Sequence, residues 1–287
     1  MVELLVVIGI IALLMAILLP VLNRVREQSV ATKCASNLRG LGQAWTAYHQ
    51  TNKGSMCPGR MPRLQDAKDL YGIGKFMSYR PYWYELCGDA IKRYPNPKPS
   101  GVDDDTWTIS DEWFLCAAVP DWRNNRNYPF GYNHHFLGNA RKRSDGRWIA
   151  YPVKINAVKG AQTVLAMDSM GTAAGLPKGE RKGYYNDGTK DPASLGNKAV
   201  FVDPPRLTGN CDIADPPNTD RKYRSGPDPR HTGLVNVVFC DGHVERLSMQ
   251  GLGYSVGGNG AVHSSGNGAH NRMFSGSGSD EDPPPAF

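Results

Sequence analysis

The clearest pattern in the chain is an uninterrupted apolar run near its beginning. Residues 4–22, LLVVIGIIALLMAILLPVL, contain no charge and no strongly polar side chain. As a helix with a rise of about 1.5 Å per residue, this run is roughly 28 Å long and nearly spans a bilayer's hydrocarbon core. Core helices are rarely apolar on all sides for so long, and a signal peptide has a shorter apolar run with a basic start. The run predicts an uncleaved membrane anchor.

Two residues distinguish this run from a generic anchor. Glu3 lies at the apolar boundary, where a carboxylate is costly unless it reaches water or a cation, so we expect it to be functional. Pro20 removes one backbone hydrogen bond within the run and is expected to kink the helix. We therefore interpret residues 1–23 as a transmembrane or assembly helix.

Beyond Pro20 the pattern becomes amphipathic rather than stopping. Leu38, Leu41, Trp45 and Tyr48 recur at helical spacing on one face. Residues 52–54, Asn-Lys-Gly, then supply a stop signal. The pattern predicts one helix of about fifty residues, in which residues 24–53 pack on a globular head.

The remaining chain, from residue 54, has short strand-like runs rather than long helices. We expect one helix near 82–92 and strands at 163–167, 199–202 and 234–240. The fold class predicted is α+β and pilin-like, with the long helix packed on a mainly antiparallel sheet and a head spanning residues 54–250. Residues 251–287 are rich in glycine, serine and proline and predict a flexible tail.

The segment LVNVVFCDGHVERL is the clearest local signal in the head. Asp241 and Gly242 join two β-rich runs and predict a two-residue type I′ hairpin. His231 lies ten residues before Asp241, roughly 33 Å along an extended strand, so the two are not expected to form a catalytic dyad. Asp241 is expected to serve the turn, His231 to make a structural hydrogen bond, and His243 to lie at the surface.

The beginning of the chain is similar to a known family. The run VELLVVIGIIALLMAILLPVLNRVRE resembles the N-terminal methylation motif of type IV pilins and type II secretion pseudopilins. On this resemblance, Glu3 matches the family's glutamate, which neutralises the terminal amine of a neighbouring subunit during assembly, and Pro20 matches its helix-kinking proline. The implied partners are other pilin or pseudopilin subunits, bound through the N-terminal helix.

The end of the head carries a second resemblance. RHTGLVNVVFCDGHV resembles the H-x9-DG signature of prepilin-like proteins of planctomycetes and related bacteria, with His231, Asp241 and Gly242 at its positions. DEWFLCAAVP, YPFGYN and TVLAMDS resemble intermediate strands of that family. The similarity covers nearly all of residues 2–247.

The family pattern also has a part that precedes Met1. Pilins carry a short basic leader ending in glycine, and Met1 stands where the third mature residue would be, so we expect a start codon assigned too late. The full-length precursor would be a partner of the prepilin peptidase. The expected location is the cytoplasmic membrane, with one span and an extracytoplasmic head, alone or in a periplasmic or surface filament. Without a leader, Arg24 and Arg26 would favour a cytoplasmic head.

Six cysteines are dispersed without C-x-x-C spacing, which argues against a zinc finger or a thioredoxin-type motif. In an exported protein they are candidates for disulfides, and the sequence leaves all fifteen pairings open. They are Cys34, Cys57, Cys87, Cys116, Cys211 and Cys240.

Other candidate ligand sites are weak. His134 and His135 would point to opposite faces of a strand, which makes them a poor metal pair. Asn186, Asp187 and Asp191 offer oxygen ligands for calcium, although an Asx-rich turn explains them better. We therefore expect no cofactor, with calcium as the one weak candidate.

The net charge of +6 is not concentrated in one segment, which argues against a nucleic-acid partner. H-E-x-x-H and P-loop patterns do not occur, so we expect no enzyme. The favoured function is a structural or assembly subunit, a pseudopilin or minor pilin. The alternative is an anchored binding module whose aromatic residues contact polysaccharide, and an anchored hydrolase ranks third. The candidate aromatic residues are Trp83, Tyr84, Trp107, Trp113 and Trp122.

Overall fold

The apolar run and its amphipathic continuation form one helix, α1, Val2–Thr51. The computed structural model describes residues 2–61, 71–73, 76–78, 81–95, 108–142, 148–184, 191–211, 213–214, 222–266 and 268–285. Helix α1 ends where predicted, because Lys53 and Gly54 adopt positive φ angles of 54° and 73°. The Gly54 N–H donates to the His49 carbonyl at 2.7 Å and closes the last turn.

The head combines short strands with short helices in an α+β arrangement. Two further α-helices are α2 (Trp83–Ala90) and α3 (His134–Leu137). The strands are β1 (Tyr71–Ile73), β2 (Phe76–Ser78), β3 (Phe130–Tyr132), β4 (Gly138–Lys142), β5 (Trp148–Pro152), β6 (Val164–Gly171), β7 (Gly226–Pro227), β8 (Val235–Phe239), β9 (Val244–Leu247), β10 (Ser255–Val256) and β11 (Val262–His263). Short 3-10 turns occupy Glu112–Phe114, Ile155–Ala157, Gly160–Gln162, Thr172–Gly175 and Lys178–Glu180.

The central sheet is antiparallel and has the order β3-β6-β8-β9, with β7 also paired to β6. Strand β6 lies in the middle and all eight of its residues are buried. Its Met167 faces Val237 of β8, and Asp168 faces Phe130 of β3. A buried carboxylate therefore lies at the centre of the sheet.

Helix α1 packs on this sheet only through its second half. Leu38, Leu41 and Trp45 are at most 2% exposed, as the helical spacing predicted, and Val238 of β8 shares their core. The contact is close at Gly42, where an added Cβ would lie 2.8 Å from Val238 Cγ2. Glycine is needed there because the helix and the strand approach each other so closely.

Several predicted elements differ from those observed. Helix α2 and strand β8 lie where they were expected, but β6 runs through Asp168 to Gly171 instead of ending at Met167. The segment 199–202 is not a strand. It consists of turns and one isolated bridge between Phe201 and Tyr132. Apolar residues in that segment are buried by packing rather than by pairing in a ladder.

The hairpin between β8 and β9 is present, but its turn is not type I′. That turn requires positive φ at both central residues, whereas only Gly242 has one, at 91°. The Gly242 N–H donates to the Phe239 carbonyl, and the Phe239 N–H donates to the His243 carbonyl. The connection is therefore a three-residue turn closed by a left-handed glycine.

The expectation of a flexible tail after residue 250 is wrong for the described residues. Leu252, Tyr254, Val262 and Phe274 are at most 2% exposed and pack in the same core as β6 and β8 residues. The Asn133 side chain donates to the Phe274 carbonyl at 2.9 Å. Glycine-rich composition misled the prediction because these glycines form tight turns between buried anchors.

Candidate functional site

The first half of α1 presents a continuous apolar surface, here called the apolar segment, residues 2–22. Every residue from 2 to 29 is exposed. Seventeen of the eighteen exposed large hydrophobic residues in the described part of the chain lie at positions 2–25. The most apolar window has a mean hydropathy of 3.2, and none of it is buried against the head. This one long apolar helix fits a membrane anchor or a signal sequence.

Glu3 lies in the first turn of α1 and is the single charged residue of the apolar segment. Its carboxylate is exposed at the helix N-terminus, where the helix dipole favours negative charge. In a low-dielectric environment such a carboxylate requires a cation or a hydrogen-bond donor. Glu3 is therefore an exposed charge on an otherwise apolar helix surface.

Pro20 lies inside α1, and the helix continues beyond it to Thr51. The proline ring has no N–H, so the Ala16 carbonyl lacks its usual helical donor. The predicted kink at this position stays a prediction.

A second candidate site lies where α1 first becomes buried, and we call it the cysteine–histidine cluster: Cys34, Cys116, Asp168, Arg230 and His231. Cys34 shares the buried face of α1 with Ala31 and Leu38. Cys116 follows the 3-10 turn Glu112–Phe114, Asp168 comes from β6, and Arg230 and His231 precede β8. All five side chains are more than nine-tenths buried.

The cluster is joined by a chain of short contacts. The sulfur atoms of Cys34 and Cys116 lie 2.6 Å apart, and the Cys116 sulfur lies 3.4 Å from His231 Nε2. His231 Nε2 is also 3.5 Å from Asp168 Oδ2. The Asp168 carboxylate accepts a hydrogen bond from the Asn236 N–H at 2.7 Å and lies 3.7 Å from Arg230 Nη2. The cluster thus links α1 to the central sheet.

Charge in the cluster is balanced by these contacts. Burial alone would lower the pKa of His231, but its hydrogen bonds to Asp168 and Cys116 raise that pKa to about 9. His231 is therefore a cation at neutral pH. Arg230 adds a second cation and lies beside the carboxyl groups of Asp168 and Asp228, and burial raises the pKa of the Asp228 carboxyl.

The two thiols of the cluster differ. The hydrogen bond from Cys116 lowers the pKa of Cys34, although burial opposes this effect. The Ala117 N–H also donates to the Cys34 sulfur at 3.0 Å. Burial raises the pKa of Cys116, and the contact with Cys34 adds to that rise. Cys34 is the more readily ionised of the pair.

Comparisons with family models, curated proteins and solved structures found no match. The arrangement of this chain's own residues is therefore the basis for assigning its function.

The structure separates His231 from the hairpin residues with which it was grouped. Asp241 lies on the turn, where its Oδ1 accepts from the His243 N–H and contacts His243 Nδ1 at 2.6 Å. The carboxylate partner of His231 is Asp168. Sequence reasoning missed Asp168 because it was taken to follow a strand, although a lone carboxylate inside TVLAMDSMG marks a buried polar position.

The remaining candidate ligands are placed as follows. His134 and His135 lie in helix α3 rather than on a strand, and His135 Nε2 is 3.5 Å from Asp203 Oδ1. Asn186 and Asp187 lie outside the described residues. Asp191 binds Lys182 Nζ at 2.6 Å and the Ala193 N–H at 2.9 Å, contacts that suit a turn.

All six cysteines are free thiols in this structure, and all are buried. Four of the five aromatic residues considered for polysaccharide lie within the described part of the chain, and they point inward. Trp83 and Tyr84 are fully buried, Trp122 is 5% exposed, Trp113 is half-buried, and Trp107 is outside the described residues. The four described side chains pack in or against the core, so they do not favour the binding-module alternative.

Proposed function

We propose that this protein is a pseudopilin-like or minor-pilin-like assembly subunit. In this proposal it is anchored by α1 in the cytoplasmic membrane, with its head on the extracytoplasmic side. The observation that carries the proposal is the division of one continuous helix into an exposed apolar half and a half that packs in the head. The head of this chain covers the second half of the helix, whereas the apolar first half must be covered by something outside the chain.

The apolar segment needs a cover, because a contiguous apolar surface of this size is not stable in water. A bilayer covers it before assembly, since the segment is long enough to cross the hydrocarbon core. The same all-round apolar surface can pack against identical helices of neighbouring subunits. Both environments are apolar, so transfer from lipid to a helix bundle costs little hydrophobic free energy.

Glu3 would then direct the transfer. A carboxylate among packed helices is stabilised by an opposite charge and destabilised when left alone. We propose that this charge is the terminal amine of a neighbouring processed subunit, exposed when the prepilin peptidase removes a leader from the precursor. The pairing would fix the axial position of one helix against the next.

The test compares two carboxylates on the same helix. Glu3→Ala removes the carboxylate of the apolar segment, and Glu27→Ala removes an exposed one beyond that segment. The full-length precursor gene is expressed in its own host, and the subunit is quantified in sheared surface material and in membranes. We expect Glu3→Ala to reduce the assembled subunit by at least about tenfold while the membrane-bound subunit persists. The reason is that the variant leaves the neighbouring subunit's terminal amine without its anionic partner, and this occurs only in the assembled state.

Glu27→Ala should assemble as the unaltered protein does. The melting curve of the head should be the same in all three proteins, because both glutamates are exposed. Unaltered incorporation of Glu3→Ala into surface material would overturn the proposed role of Glu3. Absence of the unaltered protein from any sheared assembly would overturn the subunit assignment itself.

A further inference from the structure

The contact between Cys34 and Cys116 joins two parts of the chain that are 82 residues apart. Cys34 is on the first buried turn of α1, and Cys116 is on the loop after Glu112–Phe114. Asn37, one turn later, donates to the carbonyls of Glu112 and Leu115. The loop is therefore held against α1 by hydrogen bonds on both sides of the sulfur contact.

We propose that Cys34 and Cys116 are a disulfide pair that closes in an oxidising compartment and covalently ties the anchor helix to the head. The inference rests on the export of the head in the proposed function, because such bonds persist outside the reducing cytosol. It adds a specific pairing to that function, selected from the fifteen that six cysteines allow.

The chemistry requires an external disulfide, such as an oxidised dithiol catalyst or glutathione disulfide. The Cys34 thiolate attacks one sulfur of the oxidant and releases its other sulfur as a thiolate. Cys116, after losing its proton, attacks the Cys34 sulfur and releases the second. One S–S bond forms and one breaks, two electrons pass to the oxidant, and its sulfurs take up the two protons.

The geometry favours this order of attack. Cys34 accepts the Ala117 N–H, which stabilises a thiolate, and the Cys116 sulfur touches the His231 imidazolium. Cys116 also borders a surface cavity of about 150 Å³ that Lys33 and Arg123 line. A small oxidant or reductant in this cavity approaches the pair from the Cys116 side, and the buried Cys34 sulfur must turn towards the cavity to attack it.

A bound metal ion is the competing explanation, because Cys34, Cys116 and His231 are all zinc-ligand types. Two sulfurs bound to one tetrahedral zinc at about 2.3 Å each stand roughly 3.8 Å apart, further than the 2.6 Å observed. The Arg230 guanidinium, 3.7 Å from Asp168, also gives that carboxylate a cationic partner without a metal ion. The contacts fit a sulfur pair better than a metal site.

Such a bond would act at a mechanically specific place. Ala31 and Cys34 are the first buried residues of α1 after the exposed half. A pulling force on the anchor enters the head at this turn, and a covalent bond there prevents the helix from peeling away from the sheet.

Tryptic peptides test the pairing directly, because each cysteine falls in a different one. Cys34 lies in residues 34–39 and Cys116 in 94–123, while Cys57 and Cys87 lie in 54–60 and 76–92. The full chain is unfolded, then refolded in detergent in a glutathione redox buffer, alkylated and digested without reductant. We expect the linked peptide 34–39 with 94–123 to contain most of the Cys34 signal and to disappear on reduction.

The variants separate this bond from general effects. Cys116→Ala should lose the linked peptide and melt several degrees lower than the unaltered oxidised protein, roughly 5–10 °C. Cys211→Ala should keep the linked peptide. Recovery of Cys34 only as an alkylated thiol, or one zinc per chain with Cys34 and Cys116 protected from alkylation, would overturn the proposal.

Protein taken from its own cells with thiols trapped at lysis separates the two proposals. Linked peptide there supports both the pairing and export. Linked peptide only after refolding supports the pairing and counts against an exported head, while the Glu3 assay reports on assembly independently.

Discussion

The two halves of α1 have the same backbone and opposite surroundings. Residues 2–29 are exposed along their whole length, whereas Leu38 and Leu41 are at most 1% exposed in the head core. Apart from Glu3, the apolar segment (residues 2–22) is apolar on every side, and the second half is apolar on one face only. The difference shows that a helix apolar on all sides is covered by something outside the chain, such as lipid or another helix. A helix with a single apolar stripe packs that stripe against the chain's own core.

The largest expected effect comes from placing charge in the exposed half. Leu13→Asp with Ile17→Asp should cost roughly 5–7 kcal/mol of membrane insertion, because each aspartate at a span centre costs about 2.5–3.5 kcal/mol. Both side chains are more than 60% exposed, so the head should keep its melting temperature. Alkaline extraction of membranes followed by blotting measures retention, and a variant that stays fully membrane-bound would contradict the distinction.

A change of pH should act on the head core beneath the buried half of α1, where His231 contacts Cys116 and Asp168. The folded-state pKa of His231 is about 9, above the ordinary 6.5, so its stabilising contribution is complete below 6.5 and is lost as pH rises through 9. The head should lose up to roughly 3 kcal/mol of unfolding free energy between pH 6.5 and 9.5. Urea denaturation of the reduced protein, in which Cys116 is a thiol, measures this loss across that range.

His231→Gln provides the reference for that titration. The variant should be less stable than the unaltered protein at pH 6.5 and should lose much less stability towards pH 9.5. A small loss remains because the buried Glu85 carboxyl, whose pKa burial raises to about 7, still ionises in this range. Parallel curves for the two proteins would mean that His231 is not the group responsible.

The smallest effect is a comparison of two glycines on the same helix. Gly42→Ala should destabilise the head by about 1–3 kcal/mol, because its new Cβ would lie 2.8 Å from Val238 Cγ2 and overpack the core. Gly9→Ala meets nothing within 4 Å and should leave the head unchanged. Thermal melts of both variants measure the difference, and equal melting temperatures would show that α1 can move away from β8 at little cost.

Local patterns predicted the elements that depend on neighbouring residues. The length of α1, its end at Lys53 and Gly54, helix α2 and the β8–β9 hairpin all follow from periodicity or turn residues. Packing of residues 251–285 could not be predicted, because composition reports turn-forming glycines and not the buried positions of Leu252 and Phe274. The pairing of strands that are far apart in the sequence, such as β6 with β8, could not be predicted either, because composition does not specify the partner strand.

The cysteine–histidine cluster could not be predicted from the sequence for a related reason. Its members come from α1, a loop, the middle of β6 and the segment before β8, and no spacing links them. One signal was available, since the buried stripe of α1 extends back from Leu38 to Cys34 at i−4 and Ala31 at i−7. Extending the stripe would have placed Cys34 in the core without naming Cys116 or Asp168.

The unbroken course of α1 determines how the head stands on a membrane. Residues 23–30 separate the apolar segment from Ala31 and span about 12 Å of helix, roughly twice the thickness of one headgroup layer. Arg24 and Arg26 lie in this spacer, at the depth of lipid phosphates in the proposed orientation. The distance of the head from the membrane and its rotation about the axis of α1 are thus coupled. One residue inserted in the spacer would lift the head by about 1.5 Å and rotate it by about 100°.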